Sequence, residues 1–425
     1  MRQHGFINNK LCTTQMVSFI HDLSLTLNSR SKTDIIYFDF AKAFDSVSHD
    51  IILQKLKSQF RIDGLMLRFI RSYLKGRQQQ VVIGGVESSK LPVNSGVPQG
   101  SILGPLLFVI FINDMFASIS PGTNIALYAD DTKIWREINL SNDHFVLQKD
   151  IDKLFSWSVA NKMIFHPSKC KALAVTNQRN ILHNLPFTIF QYKLHNTFID
   201  YVNYQVDLGV TVSNKLSWTE QCSKLVSKAN SRLGLVMRIC HFTIDKKQKR
   251  TFYLTLVRSI FEHCSIIWHP TSSNQISNFE AVQKRAIKWI DGRMYDHYSD
   301  DQYLKKLKDF NILPLKLKFI MTDLTLFYKI IHSLVYISLP VDFTVAEPTQ
   351  VRYTRNTANI VNCKDNTSIK CSIKPKCDSF RNSFFFRTMS IWNRIPCEIR
   401  QVDKISSFKL QLKKFMWTAD TDWPD

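Results

Sequence analysis

Ile125-Ala126-Leu127-Tyr128-Ala129-Asp130-Asp131-Thr132-Lys133-Ile134-Trp135 is the stretch that decides how this chain is read. Apolar and aromatic runs flank Ala129 to Thr132, a pattern that predicts a hairpin with an acidic pair at its tip. Taken alone, an Asp pair in a turn is a turn-former. A second run changes its meaning. Ile35-Ile36-Tyr37-Phe38-Asp39-Phe40 reads as a short buried strand. Strand alternation puts Asp39 on the face of Ile35 and Tyr37. A carboxylate there must be paired, bind metal or lie at the rim. Asp39 and Asp130, each held on a strand, can converge on hard cations that prefer oxygen ligands. Two such ions serve in-line displacement, one at the attacking oxygen and one at the leaving oxygen.

Between the two strands lies Ser95-Gly96-Val97-Pro98-Gln99-Gly100-Ser101, a Gly-rich loop entering an apolar helix. Glycines let backbone approach a substrate, and a helix N-terminus favours phosphate. Gln99 offers both donor and acceptor to a base or sugar. The Gly-Lys-Ser/Thr ending of a Walker loop is missing.

Further out, residues 1–34 read as mostly helical. A helix is expected from about Asp50 and another from Gly64 to Leu74. Strands are expected at Val81–Ile83 and Leu91–Val93, then at about 170–176, 187–190 and 206–212, with a helix from about Asp143 to Asn161. After residue 213 the texture is helical. One face runs Trp218, Cys222, Leu225, Ala229, Leu233, Val236 and Cys240. A second runs Phe252, Leu256, Ile260, Cys264 and Ile267, and a third Phe279, Val282, Ala286 and Ile290. Residues 340–379 are polar and read as a linker.

The 425 residues carry 56 Lys+Arg against 35 Asp+Glu, a formal net charge of +21. With 44% hydrophobic residues the chain can bury a core, which excludes a disordered tail. The charge points to a polyanionic partner, nucleic acid or an acidic membrane surface. Between 213 and 290 there are thirteen basic residues against four acidic ones. Arg68, Arg71 and Lys75, at i, i+3 and i+7, make another candidate phosphate-contacting stripe. The longest apolar stretch, Ile102 to Ile112, is too short to span a bilayer. The N-terminus lacks a signal-peptide pattern, which points away from secretion. Nine cysteines, without CxxC spacing, read as reduced thiols. Cys363, Cys371 and Cys377 match no common structural zinc spacing.

Phe38-Asp39-Phe40-Ala41-Lys42-Ala43-Phe44-Asp45, the Ser95–Ser101 loop and Tyr128-Ala129-Asp130-Asp131 resemble motifs A, B and C of reverse transcriptases, in that order. The wording is similar to non-LTR retrotransposons of the jockey and LINE kind. His4-Gly5-Phe6 resembles their Gln-His-Gly-Phe fingers motif. Asn161-Lys162-Met163 with Pro167-Ser168-Lys169-Cys170 resembles motif D, and Asp207-Leu208-Gly209-Val210 the primer grip. Phe261-Glu262-His263-Cys264 to Trp268, and Trp392-Asn393-Arg394-Ile395-Pro396, resemble their post-palm and C-terminal segments.

The resemblance implies an α+β right-hand polymerase fold. Residues 1–212 would be partial fingers and a palm with an antiparallel sheet. Residues 213–292 would form a helical thumb, and 293–425 a mostly helical C-terminal region. It further implies an RNA-directed DNA polymerase with two Mg2+ ions, an RNA template, a DNA primer or target and deoxynucleoside triphosphates, inside the cell in nucleus or cytoplasm. Asp39, Asp130 and Asp131 would hold the metals, with the Phe40 carbonyl as a further ligand. Lys169 would protonate the pyrophosphate leaving group. Phe44 would exclude a 2′-hydroxyl, and Gln99 and Gly100 would position nucleotide and template. Lys224, Lys228 and Arg232, with Arg68, Arg71 and Lys75, would contact the nucleic-acid backbone. The family's upstream fingers, endonuclease, zinc knuckle and RNase H have no counterpart here, so the chain reads as N-terminally truncated. The competing readings are a catalytically silent nucleic-acid-binding remnant and, on charge alone, a membrane-surface protein.

Overall fold

The computed structural model describes residues 3–177, 190–240, 244–293, 298–345 and 367–418. Most of the expected strand at 187–190, Cys363 and the middle of the 340–379 linker lie outside them. The chain divides into two compact units. The first holds residues 1–15, 30–208 and 213–215, and the second 16–29, 209–212 and 216–425.

The first unit is built on one five-stranded sheet. Its elements in chain order begin with α1 (Cys12–Asn28), whose first turn is counted here, and β1 (Lys32–Phe38). α2 (His49–Ser58) and α3 (Gly64–Leu74) follow, then the short strands β2 (Gln78–Gln79), β3 (Val82–Ile83), β4 (Val86–Glu87) and β5 (Leu91–Pro92). Next come α4 (Leu103–Ile112), β6 (Thr123–Tyr128), β7 (Asp131–Ile138), α5 (Ser141–Ala160), β8 (Lys171–Val175), β9 (Lys193–Leu194), β10 (Thr197–Phe198) and β11 (Asp200–Tyr201). The sheet order is β11-β8-β1-β7-β6. β1 pairs antiparallel with both β7 and β8, and β6 antiparallel with β7. The edge strand β11 pairs parallel with β8, so the sheet is mixed where an antiparallel one was expected.

β1 is central, and six of its seven residues are buried, which explains its unbroken apolar sequence. Ile36 and Phe38 enter a core with Ile52 and Leu56 of α2, Leu67 and Leu74 of α3, Phe108 and Phe111 of α4, and Leu147 and Ile151 of α5. Residues on the other face of β1, Ile35, Tyr37 and then Asp39, are set by alternation away from that helix-backed core. α4 is the apolar helix foreseen at 102–112. No helix among the described residues is long and apolar enough to cross a membrane.

The second unit is largely helical. α6 (Thr219–Ile239) buries Cys222, Ala229, Leu233 and Val236, as its apolar spacing predicts. The second expected face is broken instead. α7 (Lys246–Phe252) passes through a π-helical turn at Tyr253–Arg258 into α8 (Ser259–Glu262). Cys264, left-handed at φ 51°, separates it from α9 (Ser265–Trp268). The wider π turn shifts the register, so Tyr253 and Val257 are buried while Leu256 is exposed. α10 (Ser273–Asp291) buries Phe279, Val282, Ala286 and Ile290 as read. α11 (Asp300–Asp309), α12 (Leu315–Ile331) and several shorter C-terminal helices follow, ending at Ile405–Thr418. Cys12, Cys170, Cys222, Cys240, Cys264, Cys371 and Cys377 form no disulfide, as expected. Cys397 departs from the expectation and is disulfide-bonded.

Candidate active site

The acidic hairpin is tighter than its sequence suggests. Tyr128 pairs directly with Asp131, so only Ala129 and Asp130 form the turn. Asp131 and Thr132 already belong to β7. A two-residue hairpin needs left-handed backbone, and Ala129 supplies it at φ 54°. For an L-residue with a Cβ that conformation costs about 1–2 kcal/mol, so the surroundings must hold it.

Asp39 follows the last residue of β1. Its backbone is closed by the segment after α5: the His166 N–H donates to the Asp39 carbonyl at 2.7 Å, and the Ala41 N–H to the Ile164 carbonyl at 2.9 Å. Beneath this crossing the Phe40 and Phe165 rings stack with centroids 4.4 Å apart. The same segment carries Lys169 round to Asp39, where Lys169 Nζ lies 3.3 Å from Asp39 Oδ2. That carboxylate oxygen is buried and has no hydrogen-bond partner. Residues 39–41 and 164–169, far apart in the chain, are thus joined by backbone bonds as well as by charge.

The three carboxylates feel one another. Burial, together with the Asp39 charge, raises the pKa of Asp130 against an opposing backbone hydrogen bond. Asp131 is pushed up to about 6, first by desolvation, then by the charges of Asp130 and Asp207, with Lys133 pulling the other way. Asp130 and Asp131 therefore resist ionising where they sit, a tension that a divalent cation relieves. The donor set fits magnesium: hard carboxylate oxygens, one of them, Asp39 Oδ2, buried and facing only the Lys169 ammonium without a hydrogen bond. Among the described residues no group of three or more His, Cys, Asp or Glu side chains is drawn together as a metal cage. Magnesium does not demand one, since it is commonly held by one or two carboxylates plus substrate phosphates and waters.

The Gly-rich loop docks on the chain that follows Asp39. Gly96 N–H donates to the Val47 carbonyl at 2.8 Å, and Val97 N–H to the Phe44 carbonyl at 2.9 Å. Ser95 Oγ donates to the Asp45 carbonyl at 2.8 Å. Gly96 is obligatory on two counts: its φ is +90°, and a Cβ there would meet Asp45 Cα at 2.8 Å. The Gln99 amide donates to Asp45 Oδ1 at 3.0 Å, which leaves its carbonyl oxygen to accept. Gly100 is exposed at φ +81° with nothing near its missing Cβ. Ser101 Oγ caps α4 by accepting from the Gly104 N–H at 3.0 Å.

Phe44 is half-buried. Its ring stacks on Phe108 at 4.3 Å and meets Phe6 edge-on at 6.2 Å. The core-aromatic expectation for Phe44 is met on the side of the ring that stacks on Phe108.

The basic candidates separate by their partners. Arg68 and Arg71 lie exposed on α3. Lys75 breaks the expected stripe, because α3 ends at Leu74 and Lys75 is extended, with Nζ 2.8 Å from Asp50 Oδ1. Lys224 pairs with Glu220 one turn back at 3.4 Å. Lys228 and Arg232, further along α6, are exposed. Lys246, Arg258 and Lys284, part of the thirteen basic residues after 213, are also paired, with Asp291, Glu262 and Asp300.

Three contributors escaped the sequence reading. Lys133 and Asp207 form a buried ion pair beneath the acidic turn. Asp45 orients Gln99. Gln3 lies against the turn backbone. Asp45 and Asp207 stood in quoted stretches and Gln3 just before His4-Gly5-Phe6, but nothing in those stretches told which partner each would meet.

A helix-backed sheet whose hairpin turn carries an Asp pair, beside a third Asp at the end of the central strand, is the arrangement that the resemblance to polymerases implied. Residues 1–212 match the family described as reverse transcriptase (RNA-dependent DNA polymerase), and this part of the chain belongs to it. The chain is similar to the probable RNA-directed DNA polymerase from transposon BS of Drosophila melanogaster, at 23% identity over 68% of this chain and 32% of the relative. It is also similar to the RNA-directed DNA polymerase from mobile element jockey of the same species, at 27% identity over 60% of this chain and 28% of the relative. The chain thus spans about a third of the length of the curated relatives it matches. Among solved structures, telomerase from Candida albicans aligns with 72% of this chain and 47% of its own at 14% identity and a TM-score of 0.39.

Proposed function

We propose that this chain is an RNA-directed DNA polymerase of a non-LTR retrotransposon, extending a DNA 3′-hydroxyl on an RNA template. The observation that carries the reading is the approach of Asp39 to the Asp130–Asp131 turn, set by the pairing of Phe38 with Thr132, with a buried Asp39 oxygen that makes no hydrogen bond and faces Lys169. In the reaction the primer 3′-hydroxyl gives its proton to solvent and its oxygen bonds to the α-phosphorus of a deoxynucleoside triphosphate. The bond from that phosphorus to the bridging oxygen breaks, and pyrophosphate leaves. Asp39 and Asp130, with Asp131 and the Phe40 carbonyl as further ligands, would hold two magnesium ions, which supply activation of the attacking oxygen and charge stabilisation of the leaving one. Lys169, beside Asp39, gives a proton to the departing pyrophosphate. Phe44, braced by Phe108, excludes a 2′-hydroxyl. Gln99, oriented by Asp45, and the open backbone at Gly100 position nucleotide and template.

Residues 1–212 are then partial fingers and palm, 213–292 the thumb and 293–425 a C-terminal region. The exposed Arg68, Arg71, Lys228 and Arg232 neutralise phosphates without reading sequence. The test is magnesium-dependent extension of a DNA primer annealed to RNA by the full chain. Incorporation that Asp130→Ala abolishes supports the proposal. Salt-sensitive RNA binding with no incorporation overturns it in favour of a binding remnant.

A further inference from the structure

The catalytic turn is gripped from behind by the first described residues of the chain. Gln3 is 1% exposed. Its Nε2 donates to the Ala129 carbonyl at 3.3 Å, and its Oε1 accepts from the Ala129 N–H at 3.1 Å. One side-chain amide therefore satisfies both backbone polar groups of the left-handed residue. The same Oε1 accepts from the N–H groups of His4 at 2.9 Å and Gly5 at 2.7 Å, which locks the amide orientation. Lys10 Nζ donates to the Gln3 carbonyl at 3.0 Å and anchors its backbone. The strand before the turn is held alongside: the Leu127 carbonyl accepts from His4 N–H at 2.9 Å and from Gln15 Nε2 at 2.7 Å.

The fit admits no side chain at Gly5, where a Cβ would stand 2.3 Å from the Ala129 nitrogen. This closeness serves a need. β6 is the sheet edge, so Ala129, 8% exposed, has no strand on its outer side to pair with. Its N–H and C=O would otherwise be buried unsatisfied in a backbone conformation that alanine disfavours.

We propose that Gln3 is the positioning residue of the catalytic turn. By clamping the backbone of Ala129 it holds the left-handed geometry that aims the next two residues, Asp130 and Asp131. The inference rests on reading those two as catalytic. A glutamine is required in particular, because the clamp needs one donor and one acceptor on a planar group. Glutamate keeps the shape and the three accepted bonds but cannot donate to the Ala129 carbonyl.

The test compares full-length wild type with Gln3→Ala and Gln3→Glu by amide hydrogen exchange and by single-nucleotide extension kinetics. The expected result is exchange at residues 128–131 faster by roughly tenfold or more, with protection of 171–175 unchanged, because the opening is local. Extension should lose roughly tenfold or more in kcat, while KM for nucleotide and the affinity for template–primer change by less than about twofold, the pattern of an interaction felt at the reacting centre. Gln3→Glu carries the test if Gln3→Ala does not fold. Unchanged exchange at 128–131, faster exchange with unchanged kcat, or loss of protection across the whole sheet in both variants overturns the proposal. If wild type extends no primer, the functional reading fails while the exchange measurement still decides whether Gln3 holds the turn.

Discussion

Lys169 Nζ lies 3.3 Å from Asp39 Oδ2, a contact that ties the segment after α5 to the end of the central strand by charge. The lysine side chain remains more than half exposed, so it is free to swing toward a bound triphosphate. Replacing Lys169 by Ala should lower kcat for nucleotide addition by roughly a hundredfold, the usual worth of a general acid, with a smaller change in KM. Asp39→Asn should abolish incorporation while leaving RNA affinity intact. Presteady-state kinetics at several pH values checks both, and an unaltered kcat for Lys169→Ala assigns that lysine to the surface.

Phe44 should govern the choice of sugar. Phe44→Val opens the side of the ring away from Phe108 and should raise incorporation of ribonucleotides relative to deoxynucleotides. Because the ring is half-buried and stacked on Phe108, the same change should cost about 2 kcal/mol of stability, below the 3–5 typical of a fully buried Phe cut to Ala. Paired kcat/KM values for the two sugars, with a denaturant titration, separate the effects.

Salt dependence should sort the basic residues by whether they already have partners. Lys228→Ala with Arg232→Ala should reduce the slope of log K against log salt for RNA binding by roughly two. Lys75→Ala and Lys224→Ala should change it less, since Asp50 and Glu220 already neutralise those charges. Fluorescence anisotropy at several salt concentrations measures the slopes.

Gly96→Ala should disrupt the Gly-rich loop. The backbone at φ +90° and the 2.8 Å approach to Asp45 Cα leave no room for a methyl group. The expected outcome is a lower melting temperature together with weaker nucleotide binding, because Gln99 loses its register with Asp45. Calorimetry and nucleotide titration report the two losses separately.

His21 should make stability depend on pH. It is buried beside Phe343, Phe380 and Phe385, with ring centroids 6.0, 6.3 and 5.0 Å away, and neither ring nitrogen has a partner. Burial lowers its pKa to about 4. The folded protein therefore binds fewer protons than the unfolded chain between pH 4 and the ordinary value of 6.5, so stability falls as pH drops through that window. The full effect is about 3 kcal/mol. His21→Phe should flatten this dependence, which urea denaturation at pH 4.5, 5.5 and 7 would reveal. His4, also lowered to about 4 mainly by burial, leaves a residual slope in the variant.

Much of the first unit is legible in the chain because its signals are local. An apolar run marks β1, whose residues are buried on both faces, and the acidic pair between two such runs marks the β6–β7 hairpin. Gly96 is recognisable because the backbone there can be built from no other residue. The helices α6 and α10 follow their apolar spacing. Where local geometry changed, the reading slipped. The π turn at Tyr253–Arg258 moved the buried face off Leu256, and the end of α3 at Leu74 took Lys75 out of its stripe.

Residue type and order alone determined which carboxylates and glycines are present, and that they lie on strands, a turn and a loop. Tertiary structure alone decided what each of them touches. The crossing of residues 164–166 over 39–41 brings Lys169 to Asp39. The Gln3 amide meets the backbone of Ala129, and Lys133 meets Asp207 beneath the acidic turn. Each of these contacts joins groups far apart in the chain. Periodicity and spacing carry information over a few residues, whereas a buried donor takes whichever acceptor the folded backbone sets beside it.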